Sequence, residues 1–201
     1  GPLLGSTDQH LLRKCPCPLW IRRPDSPLSL KTIIATVDID DGLAAEPETL
    51  EGLNRRLLES AADLARIDGA DIHVLHAWDA PAEGLVRMWS GSADRDEAAA
   101  RYLGQVETNH WQALRDLVGN ARSWLHTPAG PVALRPHLVR GEPAAVIPRE
   151  VEALGADLLV MGTVARTGIP GLLIGNTAED ILNSVDCAIL TVKPPGFVSP
   201  I

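Results

Sequence analysis

The amino-acid sequence predicts an α/β fold with a doubly wound, five-stranded parallel sheet and helices on both faces. Short, apolar, β-branched runs alternate along the chain with longer amphipathic helical patterns, which is the order expected of parallel strands joined by crossover helices. The 201 residues, of which 45% are hydrophobic and 22% charged, indicate one globular domain with an appendage.

The first half of the domain is predicted to contain two strands and a long helix. Residues 31–37 form an apolar, β-branched run typical of a buried parallel strand, and a polar loop through Pro47 follows it. Residues 48–67 have apolar positions three and four apart, which predicts an amphipathic helix that Gly69 ends. Residues 72–78 are predicted to be the second strand.

The second half repeats this alternation. Its predicted elements are a loop without a clear period over 80–92, a helix over 94–118, a strand over 132–139, a helix from Pro143 to near Leu154, a strand over 158–161, a helix that opens at 175–177, and a strand over 188–192. These elements complete the sheet.

Composition and charge exclude several classes of partner. The formal net charge of −8 disfavours nucleic acid and anionic membranes, and no apolar run has the length of a membrane span. Three cysteines, an odd number, favour a reducing compartment over a disulfide framework. We therefore expect a cytoplasmic protein that binds neither nucleic acid nor a membrane.

A glycine-rich stretch between the last two predicted strands has the pattern of an anion site. Gly162 follows an apolar run, a loop with further glycines comes next, and Gly175 opens a helical pattern. This order places backbone N–H groups and a helix N-terminus beyond the end of a strand, which suits a phosphate. The spacing is neither the dinucleotide fingerprint nor the P-loop. Glycines that only permit a tight strand-to-helix turn are the alternative interpretation.

The same stretch resembles the C-terminal signature of the universal stress protein family, G-x-x-G-x(9)-G-[ST]. The segments GTVARTGI and IGNTAEDIL are most similar to its tandem-domain, E-type branch, and the resemblance covers nearly the whole chain. It implies an adenine nucleotide alpha hydrolase-like fold and a non-enzymatic stress-response module that dimerises, with ATP as the candidate ligand. The alternatives are a degenerate dimerisation scaffold that binds no nucleotide, and a slow ATPase or phosphotransferase.

Two residues are expected at the nucleoside end of the site. Ligands of open parallel sheets bind beyond the carboxyl ends of the strands, where the strand order reverses, and Asp38 follows the first strand at that edge. By resemblance, Asp38 matches the family's base- or ribose-contacting Asp, and Ala77 matches a position whose backbone meets the base. A solvated Asp38 that caps its loop is the alternative.

The phosphate end departs from the family pattern twice. Gly162 and Gly175 match the first and third glycines, whereas Ala165 stands at the second and Asn176 replaces Ser or Thr. If position 165 needs a positive φ, a Cβ costs about 1–2 kcal/mol, and it also blocks close approach of the backbone to phosphate. Asn176 keeps a donor and is expected to be the helix N-cap.

No catalytic residue and no metal site are predicted. The glycine-rich loop has no Lys, and no Ser–His–Asp order is evident. His73 and His76 fall on opposite faces of one strand, so they cannot share a metal ion. A phospho-receiver arrangement with Asp38 and Lys193 lacks a phosphorylatable Asp after the third strand.

An internal repeat organises the chain. Residues 1–24 align without a gap with residues 171–194, at a constant offset of 170 (171 − 1). We therefore expect residues 1–24 to be the last helix and strand of a first domain copy. Residues 25–30 would be a linker, residues 31–194 a complete domain and residues 195–201 a tail.

The repeat and the resemblance together predict strand pairing and self-association. Members of the family dimerise through their last strands, which implies antiparallel pairing of residues 18–23 with residues 188–193 and an extra antiparallel edge strand. The Leu11 and Leu12 face of the first helix would be left partly bare. A homodimer or a domain swap is expected for that reason.

Overall fold

The computed structural model describes residues 11–12, 14–22, 24–39, 47–89, 95–125, 132–163, 175–197 and 199. The strands are β1 (Leu19–Ile21), β2 (Thr32–Thr36), β3 (Asp71–Trp78), β4 (Leu134–Arg140), β5 (Leu158–Gly162) and β6 (Ala188–Val192). The helices are α1 (Pro47–Asp68), α2 (Glu83–Trp89), α3 (Arg95–Trp124), α4 (Pro143–Leu154) and α5 (Asn176–Ser184).

The strands form one six-stranded sheet in the order β1-β6-β5-β2-β3-β4. Strands β2 to β6 are parallel, and β1 pairs antiparallel with β6, with Leu19 opposite Thr191 and Ile21 opposite Ile189. The doubly wound parallel sheet and its antiparallel edge strand are thus confirmed. From β2 the chain winds outward through β3 to β4, then continues on the other side of β2 with β5 and β6.

The core consists of two layers, one on each face of the sheet. Alternate residues of a strand point to opposite faces. In β5, Val160 packs in the cluster with α1 and α3, whereas Leu159 packs in the cluster with α4 and α5. All five residues of β6 are buried, as expected for a parallel strand covered on both faces.

The N-terminal segment packs against the second of these layers. Leu12 is only 1% exposed and joins the cluster that contains Ile181 and Leu182. Of the Leu11 and Leu12 face, which was expected to be partly bare, Leu12 is buried in this cluster, whereas Leu11 is 44% exposed. That residues 1–24 derive from a domain copy stays a prediction.

The structure corrects the predicted loop over residues 80–92. It contains the helix α2, which has no buried residue and so shows no apolar period in the sequence. Its Glu83 carboxylate forms two ion pairs: Arg87 lies 3.2 Å from it, and Arg140 lies 2.6 Å from it. The helix α3 also continues to Trp124, six residues beyond its predicted end. No helix in the described ranges is both long and apolar enough to cross a bilayer.

Candidate functional site

The site lies at the carboxyl edge of the sheet, where the strand order reverses between β2 and β5. Ala35 of β2 lies opposite Val160 of β5. Continuing this register by two residues brings Val37 level with Gly162, and the next step brings Asp38 level with Thr163. Asp38 and Gly162 therefore lie at the same edge of two adjacent strands.

The main chain of Asp38 is held by a side chain that sequence reasoning missed. Asn54, on α1, accepts a hydrogen bond from the Asp38 N–H at 3.1 Å and donates one to the Asp38 carbonyl at 2.5 Å. Asn54 is 5% exposed, so this amide pair is shielded from water. These two hydrogen bonds therefore fix the main-chain position from which the Asp38 carboxylate extends.

Ala77 lies on the strand next to β2. It is level with Val139 of β4 and packs against the second core layer. The Val37 N–H donates to the Leu75 carbonyl at 3.0 Å, which carries the β2–β3 pairing up to Asp38. Asp38, Ala77 and Gly162 thus stand at the ends of three adjacent strands.

Gly162 is required for close packing and not for a special backbone angle. Its φ is not in the positive range, whereas a Cβ built on it would lie 2.9 Å from Leu53 Cδ2 of α1. The first glycine of the motif therefore lets α1 approach the end of β5. The glycine-rich segment 164–174, with Ala165, lies outside the described residues.

Gly175 and Asn176 open α5, but not in the expected roles. Gly175 is the N-cap, in an extended conformation without a side-chain cap, and its carbonyl accepts from the N–H of Ala178 and of Glu179. Asn176 was expected to be the cap; instead it is the first helical residue and is exposed. Its side-chain amide therefore stands at the helix N-terminus.

Two further polar residues lie beside Gly162. Thr163 is 1% exposed and Lys193 is 2% exposed, and the Lys193 ammonium donates to Thr163 Oγ1 at 2.5 Å. Burial lowers the pKa of Lys193 to about 8, an effect that the nearby Cys15 partly opposes. From the sequence, this lysine was considered only for a phospho-receiver arrangement, and its contact with Thr163 was not predicted.

The histidines of β3 lie on opposite faces, as predicted. His73 meets His137 of β4, whereas His76 is 3.0 Å from His110 of α3 and 3.2 Å from the Val37 carbonyl. His76 is thus tied to the residue just before Asp38. Among the described residues, no three metal-ligating side chains are grouped to hold an ion.

The proteins that are similar in sequence to this chain all belong to one family. The universal stress protein family profile matches residues 52–193. Universal stress protein E of Escherichia coli K12 is 30% identical over 200 residues, which cover 97% of this chain and 57% of the relative. The Haemophilus influenzae homologue is 30% identical over 189 residues, covering 93% and 55%. This chain therefore spans little more than half the length of these relatives.

Solved structures agree. A functionally unknown protein of Pseudomonas aeruginosa PAO1 superposes with a TM-score of 0.63 at 28% identity, covering 95% of this chain and 57% of that one. A universal stress protein in complex with cAMP has the same fold, with a TM-score of 0.51 at 19% identity, covering 82% and 98%. With the family profile matching most of the chain, this protein belongs to the universal stress protein family.

Proposed function

We propose that the domain binds an adenine nucleotide, with ATP as the leading candidate, at the carboxyl edge of the sheet, and that it acts without catalysis as a stress-response module. The observation that carries this proposal is the position of Asp38. Asn54 fixes its main chain at the strand-order reversal, between Ala77 on one side and Gly162 on the other.

The chemistry of this edge fits the parts of a nucleotide. A carboxylate at Asp38 accepts hydrogen bonds from ribose hydroxyls or an adenine amine, and the N-terminus of α5 offers phosphate the side-chain amide of Asn176 and the positive end of the helix dipole. These local donors would offset the repulsion of a chain with a net charge of −8. A family member with the same fold is known in complex with cAMP.

Isothermal titration calorimetry with ATP tests the proposal. We expect saturable binding that Asp38→Asn weakens about 10- to 100-fold, the range for losing hydrogen bonds to a charged group. Asp63→Asn is the matched control, because Asp63 lies on α1 with its side chain 71% exposed. The absence of both heat and a thermal shift at millimolar ATP would count against nucleotide binding and favour the scaffold.

The proposal includes no turnover. A steady-state phosphate-release assay on the same preparation distinguishes a binding module from a slow ATPase. We expect release no faster than that of ATP in buffer. Sustained release that Asp38→Asn lowers would overturn the non-enzymatic part of the proposal while leaving nucleotide binding in place.

We further propose self-association through residues 18–23 and 188–193, as a homodimer or a domain swap. β1 is an edge strand with Trp20 42% exposed, and exposed strand edges favour pairing between chains. In a swap, β1 of one copy would occupy the place on β6 taken here by the chain's own β1. Sedimentation over a range of micromolar concentrations tests this. Dimers that Trp20→Lys dissociates would support it, and a monomer throughout would refute it.

A further inference from the structure

Lys193 is a buried lysine at the carboxyl edge, and the family motif does not use it. It directly follows β6 and is 2% exposed, although lysine is almost never fully buried without polar contacts. Its Nζ donates to Thr163 Oγ1 and lies 4.9 Å from the centre of the Phe197 ring. The lysine is therefore held at a defined point of the sheet edge.

Thr163 is the residue at which the glycine-rich segment leaves β5. Where that segment returns, the Gly175 N–H donates to the Thr163 carbonyl at 3.2 Å. One residue thus connects three parts of the candidate site: the end of β5, the start of α5 and, through its hydroxyl, Lys193. The Lys193 side chain is therefore in direct contact with this junction.

The surroundings of Lys193 allow both charge states near neutral pH. Burial is the main cause that lowers its pKa to about 8, and the nearby Cys15 in the N-terminal segment raises it in part. On the side of α1, the guanidinium of Arg56 donates to the main-chain carbonyls of Lys193 and Pro194, both at 3.3 Å. An added negative charge nearby shifts the balance to the ammonium form.

We propose that Lys193, acting through Thr163, makes this site prefer nucleotides with a multiply charged phosphate tail over nucleosides and cyclic monophosphates. A hydroxyl has one donor hydrogen and two acceptor lone pairs. When the ammonium donates to Thr163 Oγ1, the Thr163 O–H can donate to an anionic oxygen. When the amine is neutral, it can accept that same hydrogen, and the donor is lost to the ligand.

This inference rests on the proposed nucleotide function and predicts that nucleotide binding is coupled to protonation of Lys193. Binding of ATP or ADP pulls Lys193 into the ammonium form, so complex formation takes up protons at mildly alkaline pH. If only the ammonium form is competent, a group with a pKa of about 8 is about 90% competent at about pH 7 and about 10% at about pH 9. The ATP affinity should then fall about ten-fold across this range, whereas the adenosine affinity should not change.

Calorimetry with ATP and with adenosine, at both pH values and in two buffers of different ionisation enthalpy, tests the inference. For the unaltered chain we expect the ten-fold fall for ATP alone, with proton uptake at the higher pH. Lys193→Met should bind ATP about ten-fold more weakly at the lower pH, show a flat profile and take up no proton. Lys31→Met, at the exposed residue before β2, should behave like the unaltered chain. Cys15→Ser should keep the pH dependence, since it leaves Lys193 in place.

The outcomes separate the two proposals. ATP binding with a pH profile shared by the unaltered chain and Lys193→Met would refute the role of Lys193 and leave nucleotide binding standing. Equal affinities for ATP and adenosine would do the same. No binding of either ligand would overturn both proposals. If Lys193→Met does not fold, the pH dependence of the ATP affinity is compared with that of the adenosine affinity on the unaltered chain. A fall for ATP alone supports the inference, and equal pH dependence refutes it.

Discussion

His73 Nδ1 lies 2.7 Å from His137 Nε2, across the parallel strands β3 and β4. The two residues form a diagonal pair, because the residue opposite His137 in the strand register is Leu75 and not His73. Their ring centres are nevertheless only 4.8 Å apart. At this distance one ring must donate and the other accept, so the contact suits neutral rings. Two imidazolium rings, each a donor only, would repel one another.

This pair should make the fold less stable in acid. Burial is the first cause that lowers the pKa of both rings; Arg135 lowers both further, and Asp71 and Glu150 oppose this at His73 and His137 respectively. A lowered pKa means that the folded state binds fewer protons than the unfolded state below about pH 6.5. The stability that the pair contributes is therefore complete above this pH and is lost as the pH falls.

Urea unfolding at several pH values between about 7.5 and 5 measures the effect. The unaltered chain should lose stability over this range with a slope that exceeds that of His137→Gln by up to about 1.4 kcal/mol per pH unit, the value for one proton. Parallel curves for the two proteins would mean that the pair does not titrate as inferred.

Gly162→Ala should destabilise the domain through contact with Leu53. The added Cβ would lie 2.9 Å from Leu53 Cδ2, which is the end of a side chain and can shift, so the cost should lie near or below the lower end of the about 1–3 kcal/mol typical of overpacking. Leu53→Ala in the same chain should recover part of that loss, which a double-mutant cycle of urea midpoints would show. Gly104→Ala is the control. Gly104 lies within α3, and a Cβ built on it has no neighbouring atom within 4 Å, so this substitution should stabilise the domain by about 0.5–1 kcal/mol. Additive effects at positions 53 and 162 would contradict the steric explanation.

The sheet could be predicted from the sequence because its strands have a simple composition. β5 and β6 are covered on both faces, so they read as continuous apolar runs between helical patterns. β1 was predicted by its repeat of residues 171–194 and not by its own pattern. α2 was missed because it has no buried residue and therefore leaves no apolar period in the sequence.

The site could be predicted only in part. Asp38 and Gly162 follow apolar strands, and that position is visible in a sequence. Asn54 was missed, and Lys193 was considered only for a phospho-receiver arrangement, because their contacts are set by tertiary packing: Asn54 contacts Asp38 from 16 residues away, and Lys193 contacts Thr163 from 30 residues away. Sequence order does not show which polar side chain a helix or strand will bring to the sheet edge.

Asn54→Leu should destabilise the fold and the candidate site together. The substitution keeps the branching and the number of heavy atoms of the side chain but removes the amide that pairs with the Asp38 N–H and carbonyl. Each buried polar group that loses its partner costs about 1–3 kcal/mol. The urea midpoint should therefore fall clearly, and ATP binding should weaken in the protein that stays folded.

Asn183→Ala is the matched control for that substitution. Asn183 is exposed on α5 and, within the part of the chain that the structure describes, donates to the Glu179 carbonyl one turn earlier, so its loss should change stability by less than about 0.5 kcal/mol. Equal costs at positions 54 and 183 would show that burial of the Asn54 amide is not what matters. An unchanged ATP affinity in Asn54→Leu would show that the position of Asp38 does not affect nucleotide binding.

The neighbouring residues Leu11 and Leu12 test whether the N-terminal segment is part of the folded core. Leu12 is 1% exposed against Ile181 and Leu182, and replacing a buried Leu with Ala costs about 2–5 kcal/mol. Leu11 is 44% exposed, so Leu11→Ala should cost less than about 0.5 kcal/mol. Urea unfolding of the two variants should show this difference in a single cooperative transition, because Leu12 packs in the same core layer as α5.

Similar, small effects at both positions would mean that the segment is only loosely attached. β1 would then owe its place in the sheet to its three residue pairs with β6 alone.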